Sequence, residues 1–285
     1  MQTQLRQAVV VAFGRTPYCK ARKGSFAQLH PVEYGAQTLL GVLARVPQLR
    51  PEDIGDVIMG CAMPFGVQGG NMARLIVQRA GLPDCVTAQT VNRYCSSGLQ
   101  TIATAANAIR CGEEDVVIAG GVESMSLVPM LVGAEDADPW LAEHRPEVYT
   151  TMGITAENVA RQWGISRADM DAMAVESHRR AAQAQAGGCF DGQIIPITVP
   201  GPDGGEVVVC RDEGIRPGTT AETLAGLKPC FLENGSVTAA TSSQMTDGAG
   251  FVVLMSEEKA AELGVKPLAR FVSFATGGVP AEVMG

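Results

Sequence analysis

The first half of the chain alternates between two hydrophobic periods. Ala8 to Phe13 is an unbroken apolar run bounded by Gly14 and Pro17, the pattern of a strand buried on both faces. Pro31 then opens a helical period that places Leu39, Leu40, Val42, Leu43 and Val46 on the buried side. Asp56 to Cys61 reads as a second strand, and Asn71 to Ala80 as a helix capped by Asn71 and stopped by Gly81 and Pro83. Cys85 to Val91 is strand-like, and Ser96 to Arg110 is helical with Leu99, Ile102, Ala103, Ala106 and Ile109 along one face. Asp115 to Ala119 is a strand again. This order predicts an α/β fold whose mostly parallel sheet is covered by helices.

Residues 122–154 break the alternation with Pro129, Pro139 and Pro146 and read as an inserted loop region. Thr155 to Gly188 is helical in two pieces, the second opened by a capping-box pattern of Ser166 with Asp169 and stopped by Gly187-Gly188. Ile194 to Val199 and Glu206 to Cys210 flank Pro200 to Gly205 as a small strand pair. After Gly235 the earlier theme returns, with Gly250 to Met255 a strand, Ser256 to Leu263 a helix stopped by Gly264, and Leu268 to Ala275 a strand. The domains expected are therefore a core half over 1–121, an insertion over 122–247, and a return to the core over 248–285.

Composition narrows the function classes. The 285 residues are 46% hydrophobic and 18% charged, which is globular composition. Twenty-two basic against 30 acidic residues leave a net charge of −8, so no attraction to nucleic acid or an anionic membrane is expected. The 33 glycines exceed the usual share of about 7%, as turns and close backbone approaches require. The eight cysteines form no CxxC pair and the three histidines are scattered, which argues against a metal site. No apolar run reaches membrane-spanning length, and free thiols without an export signal point to a cytoplasmic protein, an organelle matrix being the other reducing location.

One segment stands out for chemistry. Asn92-Arg93-Tyr94-Cys95-Ser96-Ser97-Gly98 lies between a buried strand and an amphipathic helix, so Cys95 falls at a helix N-terminus. There unpaired amides and the positive end of the helix dipole favour a thiolate and can donate to an oxyanion, with Arg93 adding charge and Gly98 allowing close approach. Most free cysteines are small buried hydrophobes, and it is the strand-to-helix position that sets Cys95 apart. Gly120-Gly121 follows a strand, but without a GxGxxG or GxxxxGK[ST] pattern it reads as packing glycine. Glu123, a possible base by type, reads as a hydrogen-bonding strut.

The run VNRYCSSGLQ from Val91 to Gln100 resembles the acyl-enzyme cysteine signature of the thiolases. GGVESM from Gly120 resembles the family's loop after the fourth strand, MGITAENVA from Met152 the start of its loop domain, and SVTAATSSQMTDGAG from Ser236 its return to the core. The resemblance spans essentially the whole chain. It implies a layered α/β/α thiolase core with an inserted α+β loop domain, and an acyltransferase in which Cys95 attacks an acyl-CoA thioester. It further implies acyl-CoA and CoA as partners, no cofactor beyond the CoA of the substrate, fatty-acid metabolism including β-oxidation, and a homodimer or homotetramer. Ser243, Met152 and Arg216 are the CoA-binding residues it points to, Arg216 as a phosphate partner. The family commonly has Gly-Asn where Ala240-Thr241 stands, and short-chain members have His where Thr151 stands. The second difference, with the run Ser124 to Met130, favours the 3-ketoacyl-CoA thiolases over the short-chain acetyl-CoA acetyltransferases. The ketosynthases, with a Cys-His-Asn set, match these runs less well.

The resemblance also implies groups that no residue here matches. The family's catalytic histidines lie on later loops and its second cysteine near the C-terminus, whereas the last His here is His178 and the last Cys is Cys230. The expectation is a thiolase lacking its C-terminal part, with a half-enzyme completed by a second chain and a non-catalytic acyl-CoA-binding protein as the other readings. The chain alone is expected to stop at acylation of Cys95. An incomplete second core half would leave an apolar edge near Leu268 to Ala275 and promote association.

Overall fold

The computed structural model of the chain describes residues 5–130 and 136–284, so residues 131–135 of the expected loop region and Gly285 lie outside it. The chain packs as two units and crosses between them several times. The first unit opens with β1 (Ala8–Arg15), β2 (Cys19–Lys20), α1 (Pro31–Leu43), β3 (Asp56–Gly60), α2 (Met72–Arg79), β4 (Thr87–Val91), α3 (Ser97–Cys111) and β5 (Val116–Glu123). The second unit takes over with α4 (Pro139–His144), α5 (Met152–Trp163) and α6 (Arg167–Ala186). The strands β6 (Ile197–Pro200) and β7 (Glu206–Val209) belong to the first unit, α7 (Ala221–Ala225) to the second, and β8 (Thr246–Ser256), α8 (Glu257–Glu262) and β9 (Ala269–Arg270) to the first again.

In the first unit the sheet runs in the order β4-β3-β5-β8-β1-β9, with β2 paired to β8. β3 pairs parallel with both β4 and β5, and β8 lies antiparallel between β5 and β1. β1, β3, β4 and β5 therefore share one direction and β8 alone among the long strands opposes them. Successive residues of the apolar strands point to opposite faces. Val57 and Met59 meet Tyr34, Leu39 and Ile76 on one face, while Ile58 joins Ala105, Ala106 and Ile109 of α3 on the other. Burial on both faces is why these strands read as continuous apolar runs.

Three expectations need correction. Leu40 and Leu99 are exposed at 46% and 59%. On α3 the stripe against the sheet includes Ser97, Thr101 and Ala105, small and hydroxyl side chains that hydropathy does not mark. The expected strand over Leu268 to Ala275 shrinks to β9, because β8 takes the place inside β1 and leaves this segment only two paired residues on its outer edge. Val272 beyond it is 75% exposed. The third correction is of the 122–247 boundary, since Asp191–Gly214 packs with the first unit. Ile195 donates its amide to the Arg15 carbonyl at 2.7 Å, and the Arg15 guanidinium grips Asp212 through two bonds of 2.7 and 2.9 Å.

The second unit is helical. Ser166 and Asp169 form the reciprocal capping box at the start of α6. Glu157 of α5 is buried and accepts from the amides of Ser236 at 2.9 Å and Val237 at 2.8 Å and from the Ser236 hydroxyl, which fastens that loop to the helix.

Candidate active site

β4 ends at Val91 and α3 begins at Ser97, so five residues make the strand-to-helix turn and Cys95 sits exposed within it. The turn is tight because Tyr94 has a left-handed backbone, φ +47°, uncommon for a residue with a side chain. Asn92 holds that conformation by accepting the Tyr94 amide on its Oδ1 at 2.8 Å. Ser97 braces the other end: its Oγ accepts the Arg93 amide at 2.8 Å and donates to the Tyr94 carbonyl at 2.5 Å. Ser96, at the N-cap, makes no side-chain cap and instead donates its hydroxyl to the Arg93 carbonyl. Among the described residues no acceptor faces the amides of Gly98 and Leu99, so the first turn of α3 keeps donors for an incoming oxygen.

The sheet supplies the closeness. A Cβ on Gly60 would lie 2.6 Å from the Ser97 carbonyl carbon and 2.8 Å from the Gly98 nitrogen, so the start of α3 rests on β3 only because Gly60 has no side chain. The Thr101 hydroxyl lies 2.8 Å from the Gly98 carbonyl and 2.9 Å from the Gly120 carbonyl, within donating reach of both. Gly120 and Gly121 are interior positions of β5 rather than a phosphate loop, and GGVE is strand, the loop starting only at Ser124. An open groove of about 240 Å³ runs beside this point, lined by Phe13, Gly98, Ile102, Gly120 and Phe251 among others.

Glu123 ends β5 as the strut expected of it. Its carboxylate accepts from the Ala62 amide and from Gln68 Nε2, each at 2.7 Å, and from the Cys61 thiol at 3.9 Å. Burial, then the charge of Glu123, pushes the Cys61 thiol up to about 12. Sequence reasoning missed Asn92, Ser97, Thr101 and Gln68. An asparagine two residues ahead of an enforced left-handed residue was the available signal.

Met152, Arg216 and Ser243 fall in the second unit and Cys95 falls in the first. Met152 opens α5 and is 41% exposed, while Ser243 and Arg216 are exposed. The Arg216 amide donates to His178 Nδ1 at 3.2 Å. Where the sequence carries Ala240-Thr241, the loop is closed by hydroxyls: Thr238 donates its amide to Thr241 Oγ1 at 2.9 Å, and Ser242 Oγ donates to the Thr238 carbonyl at 2.7 Å. Each histidine has a partner. His30 caps α1 through Val32, His144 stacks on Trp140 at 4.6 Å, and His178 holds Arg216. Among the described residues no group of three or more His, Cys, Asp or Glu could hold a metal, and no helix is long and apolar enough to cross a membrane.

The thiolase N-terminal domain family matches residues 8–258. This chain belongs to the thiolase family. The 3-ketoacyl-CoA thiolase of Bacillus subtilis (strain 168) is 50% identical over 289 residues, covering 99% of this chain and 74% of that protein. The acetyl-CoA acetyltransferase of Cupriavidus necator is 41% identical over 293 residues, covering 99% and 74%. Among solved structures, the Bacillus anthracis acetyl-CoA acetyltransferase superposes with a TM-score of 0.89 at 38% identity, covering 99% of this chain and 73% of that one. The thiolases are acyltransferases, and the mixed α/β sheet with its helices is the thiolase fold.

Proposed function

We propose that this thiolase chain accepts an acyl group from acyl-CoA onto Cys95, in the manner of a 3-ketoacyl-CoA thiolase. The observation that carries the reading is the exposed Cys95 on a cross-braced strand-to-helix turn whose helix start has amides to spare. The Cys95 sulfur attacks the thioester carbonyl, the carbon–sulfur bond to CoA breaks, and the thiol proton ends on the departing CoA. The oxyanion formed on the way is held by helix-start amides, that of Cys95 included. Met152, Arg216 and Ser243 are proposed to hold CoA, Arg216 as a cation for a phosphate. The 50% identity to a 3-ketoacyl-CoA thiolase supports that substrate class over the short-chain acetyltransferases.

Turnover beyond acylation needs further proton transfers, and the three histidines bond elsewhere through one ring nitrogen each, His30 with Val32, His144 with Trp140 and His178 with Arg216. The chain alone therefore takes up one acyl group and stops. Intact-mass measurement after incubation with acetyl-CoA is expected to show a single adduct that Cys95→Ala abolishes. No adduct on Cys95, or multiple-turnover thiolysis by the purified chain, would overturn this reading.

A further inference from the structure

The Glu123 carboxylate lies at the head of a hydrogen-bonded relay that ends on the turn bearing Cys95. Its Oε2 accepts the Ala62 amide at 2.7 Å. The Ala62 carbonyl accepts from Asn92 Nδ2 at 3.1 Å, and the same Asn92 accepts the Tyr94 amide on its Oδ1 at 2.8 Å. Tyr94 is the residue with φ +47°, and Cys95 follows it. Since left-handed backbone is unfavourable for tyrosine, its geometry depends on whatever holds it. Ser97 is the local holder, and the relay ties the same residue to the exit of β3 and the end of β5.

The relay is fixed at its far end. Gln68 is fully buried and its polar atoms are all used: Nε2 donates to Glu123 Oε1 at 2.7 Å and to the Met63 carbonyl at 2.9 Å, and Oε1 accepts the Ser124 amide at 2.5 Å. Every group facing the carboxylate is a donor: the Ala62 amide, the Gln68 amide and the Cys61 thiol. A carboxylate satisfies all three, whereas a glutamine would turn its own NH₂ against one of them. Both oxygens are thereby tied into the frame around β3 and β5.

Resting on the reading of Cys95 as the acylated thiol, we propose that Glu123 is a positioning residue for that thiol, acting through Ala62 and Asn92 on the backbone of Tyr94. Two variants of the full chain cut the relay at different links. Glu123→Gln sets an NH₂ against a donor, and Asn92→Asp keeps the acceptor for Tyr94 but removes the donor to Ala62. Asn92 is exposed, so the second variant does not disturb the core.

Each is expected to slow the limiting rate of single-turnover acylation by acetyl-CoA about tenfold, with the half-saturating concentration unchanged. The double variant is expected to be no slower than the slower single one, as for two links of one relay. Amide exchange at Tyr94, Ser96 and Ser97 is expected to quicken about tenfold in both, while exchange in β6 and β7 stays at the parent value. Unchanged exchange at Tyr94, Ser96 and Ser97, or rate effects that simply add, would overturn the proposal. If the parent chain takes up no acyl group, the reading of Cys95 has failed, and the exchange measurement still decides whether Glu123 positions the turn.

Discussion

β3 and β4 lie side by side and parallel, and each leaves the sheet close to a cysteine, yet the two thiols meet opposite surroundings. Cys61 follows Gly60 directly and is 1% exposed, its thiol donating to Glu123. Cys95 comes four residues after Val91, far enough out for the Asn92 and Ser97 braces to build a turn and present it to solvent. Neighbouring strands and the same residue type thus produce an inert core thiol and a candidate nucleophile. The difference lies in what each thiol meets: Cys61 is enclosed against the Glu123 carboxylate, and Cys95 stands exposed just ahead of the first turn of α3.

The largest effect expected from this comparison is in thiol modification. A thiol at about 12 is ionised to about one part in 10⁴ at pH 8, and burial blocks the reagent as well. Peptide mapping after brief iodoacetamide treatment of the native chain is expected to show Cys95 modified more than about 100-fold faster than Cys61. In denaturant the two rates are expected to converge. Comparable native rates would erase the distinction between the two exits.

The next effect tests how α3 comes to rest on the sheet. Gly60→Ala would push a methyl into the backbone of Ser97 and Gly98, costing about 1–3 kcal/mol of stability. Gly98→Ala meets nothing nearer than the Gly120 carbonyl at 3.9 Å and removes a glycine from the first turn of a helix, so it is expected to raise stability by about 0.4–1 kcal/mol. Denaturant midpoints measure both. Equal effects from the two substitutions would mean that α3 is not seated on β3 through Gly60.

Much of this was legible in the sequence, for identifiable reasons. Strands buried on both faces leave unbroken apolar runs, and caps such as Asn71 and the Ser166–Asp169 box are local, so β1, β3, α2 and α6 could be read directly. Cys95 was found through its position between a strand and a helix. What escaped was non-local. No pattern announces that β8 enters the sheet antiparallel between β5 and β1, or that Asp212 returns to Arg15 across 197 positions and draws Asp191–Gly214 into the first unit. The contact face of α3 was read in part: Ala103, Ala106 and Ile109 are buried as expected, whereas Leu99 is exposed and Ser97, Thr101 and Ala105 meet the sheet through smallness, which hydropathy scores as neutral. Asn92 and Gln68 were missed because their importance lies in their partners.

The burial that raises the Cys61 thiol also acts at two buried carboxylates, one in each unit, where hydrogen bonding leads to opposite outcomes. At Asp247 of β8, burial outweighs the donors from Ser126, Met125 and Ser124 and raises the carboxyl above its ordinary range. At Glu157 of α5, burial acts in the same direction, but the Ser236 and Val237 amides and the Ser236 hydroxyl overcome it and the carboxyl falls below its ordinary range. Linkage then gives contrary pH dependences. The Glu157 contribution is present above the unfolded carboxylate range, near pH 4, and is lost as pH falls through the depressed folded value. The Asp247 contribution is complete below that range and is lost as pH rises through the elevated folded value. The stability of the parent minus that of Glu157→Gln is expected to shrink between pH 7 and pH 3, while the parent minus Asp247→Asn is expected to grow. These are the smallest effects, and the sign carries the information. Two differences moving together would mean that donors do not separate these carboxylates.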